Sequence, residues 1–476
     1  MQKAVRAACC SHVEGMNEHS LLTEDEAAFE GYLDTLAAAL QHRSRKQPLR
    51  DYCTGLLLPE GRKSMEPMAA RLAPARTRTM HKTLLNFVSE GAWSDEAVLA
   101  AMRSQVLPAM QAHGPLRFWI VDESGMPKKG KHSVGVARQY CGEVGKVDNC
   151  QVMVSLSVAN EAACLPLAAQ LYLPEAWAVD EERRSKVGVP LDIVFQSKPA
   201  LALEQIRTAH AAGVPPGVVL ADEVYGSTAS FRQGVSALGL DYAAAVRATT
   251  PVRPPLDKRR ARLWRGQDAA LSVRALAARV PRSAWRWVTW REGSGPELSG
   301  RFAAIRVRVG RDGAAGEQTL LLEWPVGVTD PVGYWLVTLA RHTPLQDVVA
   351  TAKGRWWVEQ NYRELKQEVG LGDFEGRGWR GFHHHLTLSF AAYGFLVMRR
   401  CQQPWPAGGR AGVLSFPVVA DPTHPPIRPE RHAPTSIPTM RRRLTVGLAR
   451  RLPRCPCCQT PHSEQVLLIQ PLLLSA

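Results

Sequence analysis

Two short stretches share one pattern and limit the folds open to this chain. FWIVDESG, residues 118–125, and VVLADEVYG, residues 218–226, each run apolar for four residues and then give Asp, Glu and a glycine-bearing turn. Apolar runs this short, bounded by turn signals, read as buried strands and not as helices. Each delivers an aspartate, Asp122 or Asp222, at its carboxyl end. A single strand-end Asp is ordinarily a turn or cap residue. Two matched ones, on strands expected to be neighbours, point to a shared site.

The order of the surrounding elements sets the fold class. Residues 134–141 and 151–159 read as two further strands with Gly142 and Gly145 between them, so the first three strands read as a meander. Residues 198–212 and 231–238 read as helices, and 241–246 as a fifth strand. Three strands, helix, strand, helix, strand is the order of an α/β ribonuclease-H-like core, here over residues 113–250. Residues 251–345 interrupt it. Pro251, Pro254 and Pro255 with Arg259, Arg260 and Arg262 open this segment, and strand-like runs follow at 285–290, 301–309, 319–324 and 334–339. Gly293, Gly295, Gly310 and Gly313 fall in its turns, so it reads as an all-β insertion. The core resumes over residues 346–400, where 383–398 reads as a long apolar helix. Ahead of the core, residues 1–112 form a small helical domain with basic loops, expected to bind DNA. Its best-marked helix starts at Ser94, with Asp95 and Glu96 in the first turn. Residues 401–476 read as a loosely packed tail rich in Pro and Arg. Its Cys455, Cys457, Cys458 and His462 lack the paired spacing of a common zinc site.

The segment GRWWVEQNYRELKQEVGLGDFEGR, residues 354–377, supplies a third acid. Val358, Tyr362, Leu365 and Val369 make one apolar stripe, and Gly370 and Gly372 stop the helix. At about 100° per residue, Arg355, Glu359 and Lys366 fall on one flank of that stripe. Glu364 and Glu368 fall on the opposite side, so Glu359 sits between two cations at the margin of the core.

Charge indicates the partner. The 476 residues carry 59 Lys and Arg against 44 Asp and Glu, a formal net charge of +15. Such an excess suits a polyanion, with nucleic acid ahead of an anionic membrane. No apolar run reaches the roughly 18 residues that span a bilayer. The ten scattered cysteines and the lack of a signal peptide point to a reducing cytoplasm, where a DNA-bound protein would associate with the nucleoid.

Asp122, Asp222 and Glu359 converging on one point would repel one another without a cation. Oxygen ligands of this kind suit two Mg²⁺ ions roughly 3.5–4 Å apart, with Mn²⁺ able to substitute, and such a pair serves phosphoryl transfer. With these residues on the page, the sequence resembles bacterial insertion-sequence transposases of the DDE type, in the seven-oh-one-type, cut-and-paste group with a β insertion before the last acid. The resemblance runs over about residues 20–400 and rests on DESGMPKKGKHSVGVARQY, ADEVYG and GRWWVEQNYRELKQEVGLGDFEGRGWRGFHHHLTL. It implies that Asp122, Asp222 and Glu359 are catalytic and hold the metals. It also implies that Arg355 and Lys366 contact DNA phosphate.

Where relatives carry Tyr in the last motif, this chain has Ala352. Tyr362 is the candidate to replace it. Lys128, Lys129 and Lys131, with His132, would line the DNA channel. Trp264, Trp285, Trp287 and Trp290 fit either a core or a base-stacking surface. The adjacent His383, His384 and His385 cannot all face one metal and read as packing residues. The implied reaction binds double-stranded terminal inverted repeats, cleaves at the element ends and joins 3′-hydroxyls to target DNA. Synapsis of two ends implies a homodimer. A nuclease without strand transfer and a non-catalytic DNA-binding derivative are the competing readings.

Overall fold

A computed structural model of the chain describes residues 18–58, 61–257, 262–264, 269–291, 298–309, 316–403 and 435–453. It is a mixed α/β structure. Its strands are β1 (Phe118–Pro127), β2 (Ala137–Cys141), β3 (Lys146–Ala159), β4 (Cys164–Leu171), β5 (Val218–Ala221) and β6 (Tyr242–Ala245). Then come β7 (Pro251–Arg253), β8 (Leu271–Ser272), β9 (Arg286–Arg291), β10 (Leu298–Val309), β11 (Glu317–Trp324) and β12 (Gly333–Val337). All join one sheet in the order β2-β3-β1-β5-β6-β12-β11-β10-β7-β8, with β4 added beside β3 and β9 beside β10. The strands of residues 251–345 thus continue the sheet begun by β1, through β12 against β6.

Parallel pairing at the centre places the two aspartates. Phe118–Ile120 of β1 runs parallel to Val218–Leu220 of β5, and β5 runs parallel to β6. Strands that run the same way end on the same side, so Asp122 and Asp222 emerge beside each other. The expected meander needs correcting. β1 pairs along its whole length with β3, from Phe118 opposite Ala159 to Pro127 opposite Cys150. β2 lies on the far side of β3. β1 also does not end at Asp122, because β3 continues to pair with it as far as Pro127. β4 was not anticipated. Its Pro166 argues against a strand in sequence, yet it sits at an irregularity in the β3 pairing, next to the shift at Leu156 and Ser157.

β3 is buried at every position from Cys150 to Ala159, so both of its faces are covered. Successive side chains on a strand point to opposite faces. Asp122 accordingly meets the helix Trp356–Val369, and Glu123 meets Lys198 at the start of the helix Lys198–Ala211.

The helix Trp379–Gln402 is apolar almost all round and buried over most of its length. The N-terminal helices pack on it and share one continuous core with the sheet. Tyr32 donates to the Ala391 carbonyl at 2.7 Å, Tyr52 bonds His385 Nδ1 at 2.8 Å, and Thr387 donates to Asp95 at 2.6 Å. His383, His384 and His385 face three different surroundings, as packing residues do. His383 accepts from the Leu171 amide, His384 stacks on Trp93, and His385 stacks on Phe374. Burial holds all three well below the usual histidine range, at about 4, so they are neutral.

The C-terminal region also departs from expectation. Residues 435–453 are not loose: Ile437–Arg450 is a helix whose Ile437, Met440, Leu444 and Leu448 are buried. Such side chains contribute roughly 1.5–3 kcal/mol each when fully buried. Arg441 pairs with Glu368 at 2.5 Å and donates to the Leu57 and Leu58 carbonyls at 3.3 Å. Arg443 pairs with Asp25, and Thr445 donates to the Leu57 carbonyl at 2.9 Å. One helix therefore ties the Glu359-bearing helix to the N-terminal helices. The cysteines and histidine of residues 455–462 lie outside the described residues, as do Arg259 and Arg260.

Arg441→Ala strands the Glu368 carboxylate and removes one donor from each of the Leu57 and Leu58 carbonyls, which keep Thr445 and Lys63. We expect a loss of about 3 kcal/mol in denaturant unfolding. Arg442→Ala, on the exposed side of the same helix, should stay within about 0.5 kcal/mol of the parent.

Candidate catalytic site

Asp122 is only 5% exposed. Its carboxylate accepts from its neighbour, the Glu123 amide, at 2.8 Å and from the Arg355 guanidinium at 3.2 and 3.3 Å. Burial pushes the Asp122 carboxyl up to about 7, helped by the nearby charges of Asp222 and Glu123; Arg355 and the Glu123 amide oppose the shift without cancelling it. Asp222 follows β5 directly and caps the next turn, accepting from the Val224 amide at 2.8 Å and the Tyr225 amide at 3.3 Å. Two backbone bonds fix its orientation before anything binds.

The third acid comes from the helix Trp356–Val369, with Arg355 at its N-cap. Gly370 ends it in the left-handed region at φ 65°, and a Cβ there would collide with the Lys63 side chain. Only glycine meets both demands. Glu359 is exposed and makes no hydrogen bond or ion pair with the described residues. Burial lowers the affinity of Arg355 for its proton, but Asp122, Asp222 and Glu359, in that order, outweigh burial and raise it. All three acids thus act on one guanidinium. Its Nε is buried and has no hydrogen-bond partner among the described residues.

The helix's other acids do face away, though not to water. Glu364 accepts from Tyr393 at 2.5 Å and from Gln360 at 2.8 Å, and Glu368 holds Arg441. Tyr362 needs correction as a DNA contact. It is buried, its hydroxyl bonds Ser155 Oγ at 2.7 Å, and Ser155 stands opposite Asp122 across the β1–β3 pair. It supports the strand under Asp122 and presents nothing to phosphate. Ala352, where a tyrosine was expected, is also buried.

The cations divide by environment. Lys366 is held by Glu143 at 2.6 Å and by the Gly125 carbonyl at 2.9 Å, which ties the helix to the far part of β1. Lys128 donates to the Phe374 carbonyl at 2.6 Å, and burial lowers its affinity for a proton. Lys129 and Lys131 are exposed. Of the four tryptophans, Trp264 and Trp285 are core, and Trp290 packs edge-on against Phe302. Trp287 is 59% exposed.

Sequence reasoning missed the pair of Glu123 with Lys198 at 2.6 Å. Glu123 is adjacent to Asp122, which is a signal; Lys198 carries none.

As the side chains lie, no group of three or more His, Cys, Asp and Glu among the described residues could hold a metal ion. The donor chemistry nevertheless fits a hard divalent cation. The candidate ligands are carboxylates, one is buried with only a guanidinium to balance it, and one has no other partner. No described helix is long and apolar enough to cross a membrane.

Comparison with known proteins gives two matches. A family model described as DDE superfamily endonuclease matches residues 35–297, a span that includes Asp122 and Asp222 and stops short of Glu359. A probable transposase for insertion sequence element IS701 from Microchaete diplosiphon is 26% identical over 300 residues, covering 61% of this chain and 67% of that protein.

Asp122→Asn tests the electrostatics. An Asp near 3.8 unfolded and about 7 folded binds more protons in the native state between those values, so stability falls as pH rises across that window. In metal-free buffer at pH 8 the Asn variant should be more stable by roughly 1–3 kcal/mol, allowing for the lost Arg355 pair, and the gain should vanish near pH 4. Denaturant unfolding at the two pH values measures it.

Proposed function

The chain belongs to the DDE superfamily endonucleases, and on that premise we propose that it is the transposase of an insertion sequence. It binds double-stranded terminal inverted repeats, cleaves at the element ends and joins the freed 3′-hydroxyls to target DNA. The observation that carries this reading is the parallel register of β1 and β5 that brings Asp122 and Asp222 out side by side, with Arg355, four residues before Glu359, paired to Asp122.

The core is read as ribonuclease-H-like. The parallel strands β1 and β5 deliver the two aspartates with β6 parallel beside β5, and the antiparallel β3 and β4 lie on the other side of β1. On this reading the domains are 1–112, 113–250, 251–345, 346–400 and 401–476, the third being a β insertion. Asp122, Asp222 and Glu359 would hold divalent ions, two Mg²⁺ with Mn²⁺ as substitute, which supply charge neutralisation at the scissile phosphate and an activated attacking oxygen. Asp222, capped by two amides, presents a fixed carboxylate. Arg355, with an unused Nε, turns from Asp122 to a phosphate oxygen when DNA arrives. Lys366 keeps the Glu359 helix at its distance from β1. Lys129 and Lys131, on the loop leaving β1, meet the DNA backbone as point charges. Trp287, exposed on β9, offers an aromatic face opposite Arg301 of β10. The N-terminal helices contact the terminal repeat, two copies synapse two ends, and the protein acts on DNA in the bacterial cytoplasm and nucleoid.

A strand-transfer assay with labelled end DNA and Mg²⁺ tests the reading. The parent chain should yield joined product, Glu359→Gln should lose cleavage by ~10²-fold or more while still binding DNA, and Glu364→Gln should stay active. Hydrolysis without joining would make the protein a nuclease, and DNA binding with no cleavage by the parent would make it a non-catalytic binder.

A further inference from the structure

Two short helices of the N-terminal region, Met65–Leu72 and Thr77–Leu85, pack against each other and are joined through Ala73 and the tight turn Pro74–Arg76. Proline fixes φ at that turn and has no amide to leave unpaired. The first helix is embedded, with Met68, Ala69 and Leu72 buried. The second buries only Leu84 and packs Met80 in part, so it stands out from the body. An embedded helix, a turn of a few residues and a projecting second helix make a helix-turn-helix arrangement, whose second helix lies in the major groove of DNA.

The projecting side of Thr77–Leu85 has the chemistry for that role. At about 100° per residue, Arg78, Thr79, Lys82, Leu85 and Asn86 fall within one arc of roughly 120°, opposite Leu84. All five are exposed. Arg78, Lys82 and Asn86 make no hydrogen bond or ion pair with the described residues, and residues 74–86 include no acid. A merely solvated helix face commonly mixes both signs and pairs them at i, i+4. Here the face offers polar groups, two cations and one apolar side chain. Arg reads guanine O6 and N7, Asn reads adenine N6 and N7, and an apolar side chain meets the thymine methyl.

Contacts lead from this helix to the catalytic strand. His81 and Leu85 line one cleft with Phe374, Glu375 and Gly376. The Phe374 carbonyl accepts from Lys128 at 2.6 Å, and Glu375 pairs with Arg62 at 2.8 Å. Exposed Lys129 and Lys131 follow on the loop leaving β1, the strand that bears Asp122.

We propose that Thr77–Leu85 is a recognition helix that reads base edges in the major groove of the DNA duplex, with Arg78, Lys82 and Asn86 as its specificity-determining residues. This rests on the reading of the chain as a transposase that binds terminal repeats. The lysines after β1 hold phosphates of the same duplex and carry no sequence information.

Selection by the full chain from a pool of random-sequence duplexes, in metal-free buffer so that nothing is cut, yields its preferred site. Arg78→Ala should lose about tenfold or more in affinity for the selected duplex and stay within about threefold of the parent on a scrambled duplex. Lys129→Ala should weaken binding to both duplexes by the same factor. Arg78→Gln, taken through the same selection, should change the preferred base pair at one or two adjacent positions and keep the others, which a misfolded variant cannot do. Equal losses on both duplexes for Arg78→Ala, or an unchanged preference for Arg78→Gln, would overturn the proposal and leave the terminal-repeat reading standing. A parent chain that enriches no sequence would remove both.

Discussion

The ion pair between Arg355 and Asp122 joins residues 233 positions apart and holds the site together. Removing a carboxylate from water costs several kcal/mol, and one cation at hydrogen-bonding distance recovers only part of it. The rise of Asp122 to about 7 is the remainder of that cost. The pair is therefore a poor source of stability and a good source of register. It sets where the Glu359 helix begins relative to β1, and Lys366 repeats the attachment about three turns later through Glu143 and Gly125.

The rest of the architecture keeps that helix from drifting. Its inward stripe lies on the sheet, and its outward acids are tied from behind by Tyr393 and Arg441. Gly370 gives it a fixed end against Lys63. Support from two sides lets Glu359 remain exposed and unpartnered without loosening the helix that carries it. A site built this way stores its electrostatic cost at Asp122 and offsets it in the surrounding core, as binding sites commonly do.

Much of the site was legible in the sequence because it follows local rules. A four-residue apolar run ending in Asp is readable, and so is a helical wheel that puts Glu359 with Arg355 and Lys366. What escaped depends on contacts distant in sequence. The wheel placed Glu364 and Glu368 on the far side correctly, but nothing local says that Tyr393 and Arg441 cover that side. Tyr362 lay on the expected flank, yet burial against Ser155 decides its role. Pro166 hid β4, since a proline in a strand is tolerated only at an irregularity in the pairing. The C-terminal helix was hidden by composition. Its apolar residues recur at Ile437, Met440, Leu444 and Leu448, a helical spacing, but the arginine run and flanking prolines masked it.

Asp122 and Asp222 emerge side by side from parallel strands with Arg355 paired to Asp122, and the proposed function makes this the place for metal and phosphate. Anomalous diffraction from crystals of the full chain with Mn²⁺ and a terminal-repeat duplex tests it directly. The account predicts manganese on Asp122 and Asp222 with Glu359 turned toward it, and Arg355 moved from Asp122 to a phosphate oxygen. Manganese bound elsewhere, with Arg355 still on Asp122 in the DNA complex, would contradict it.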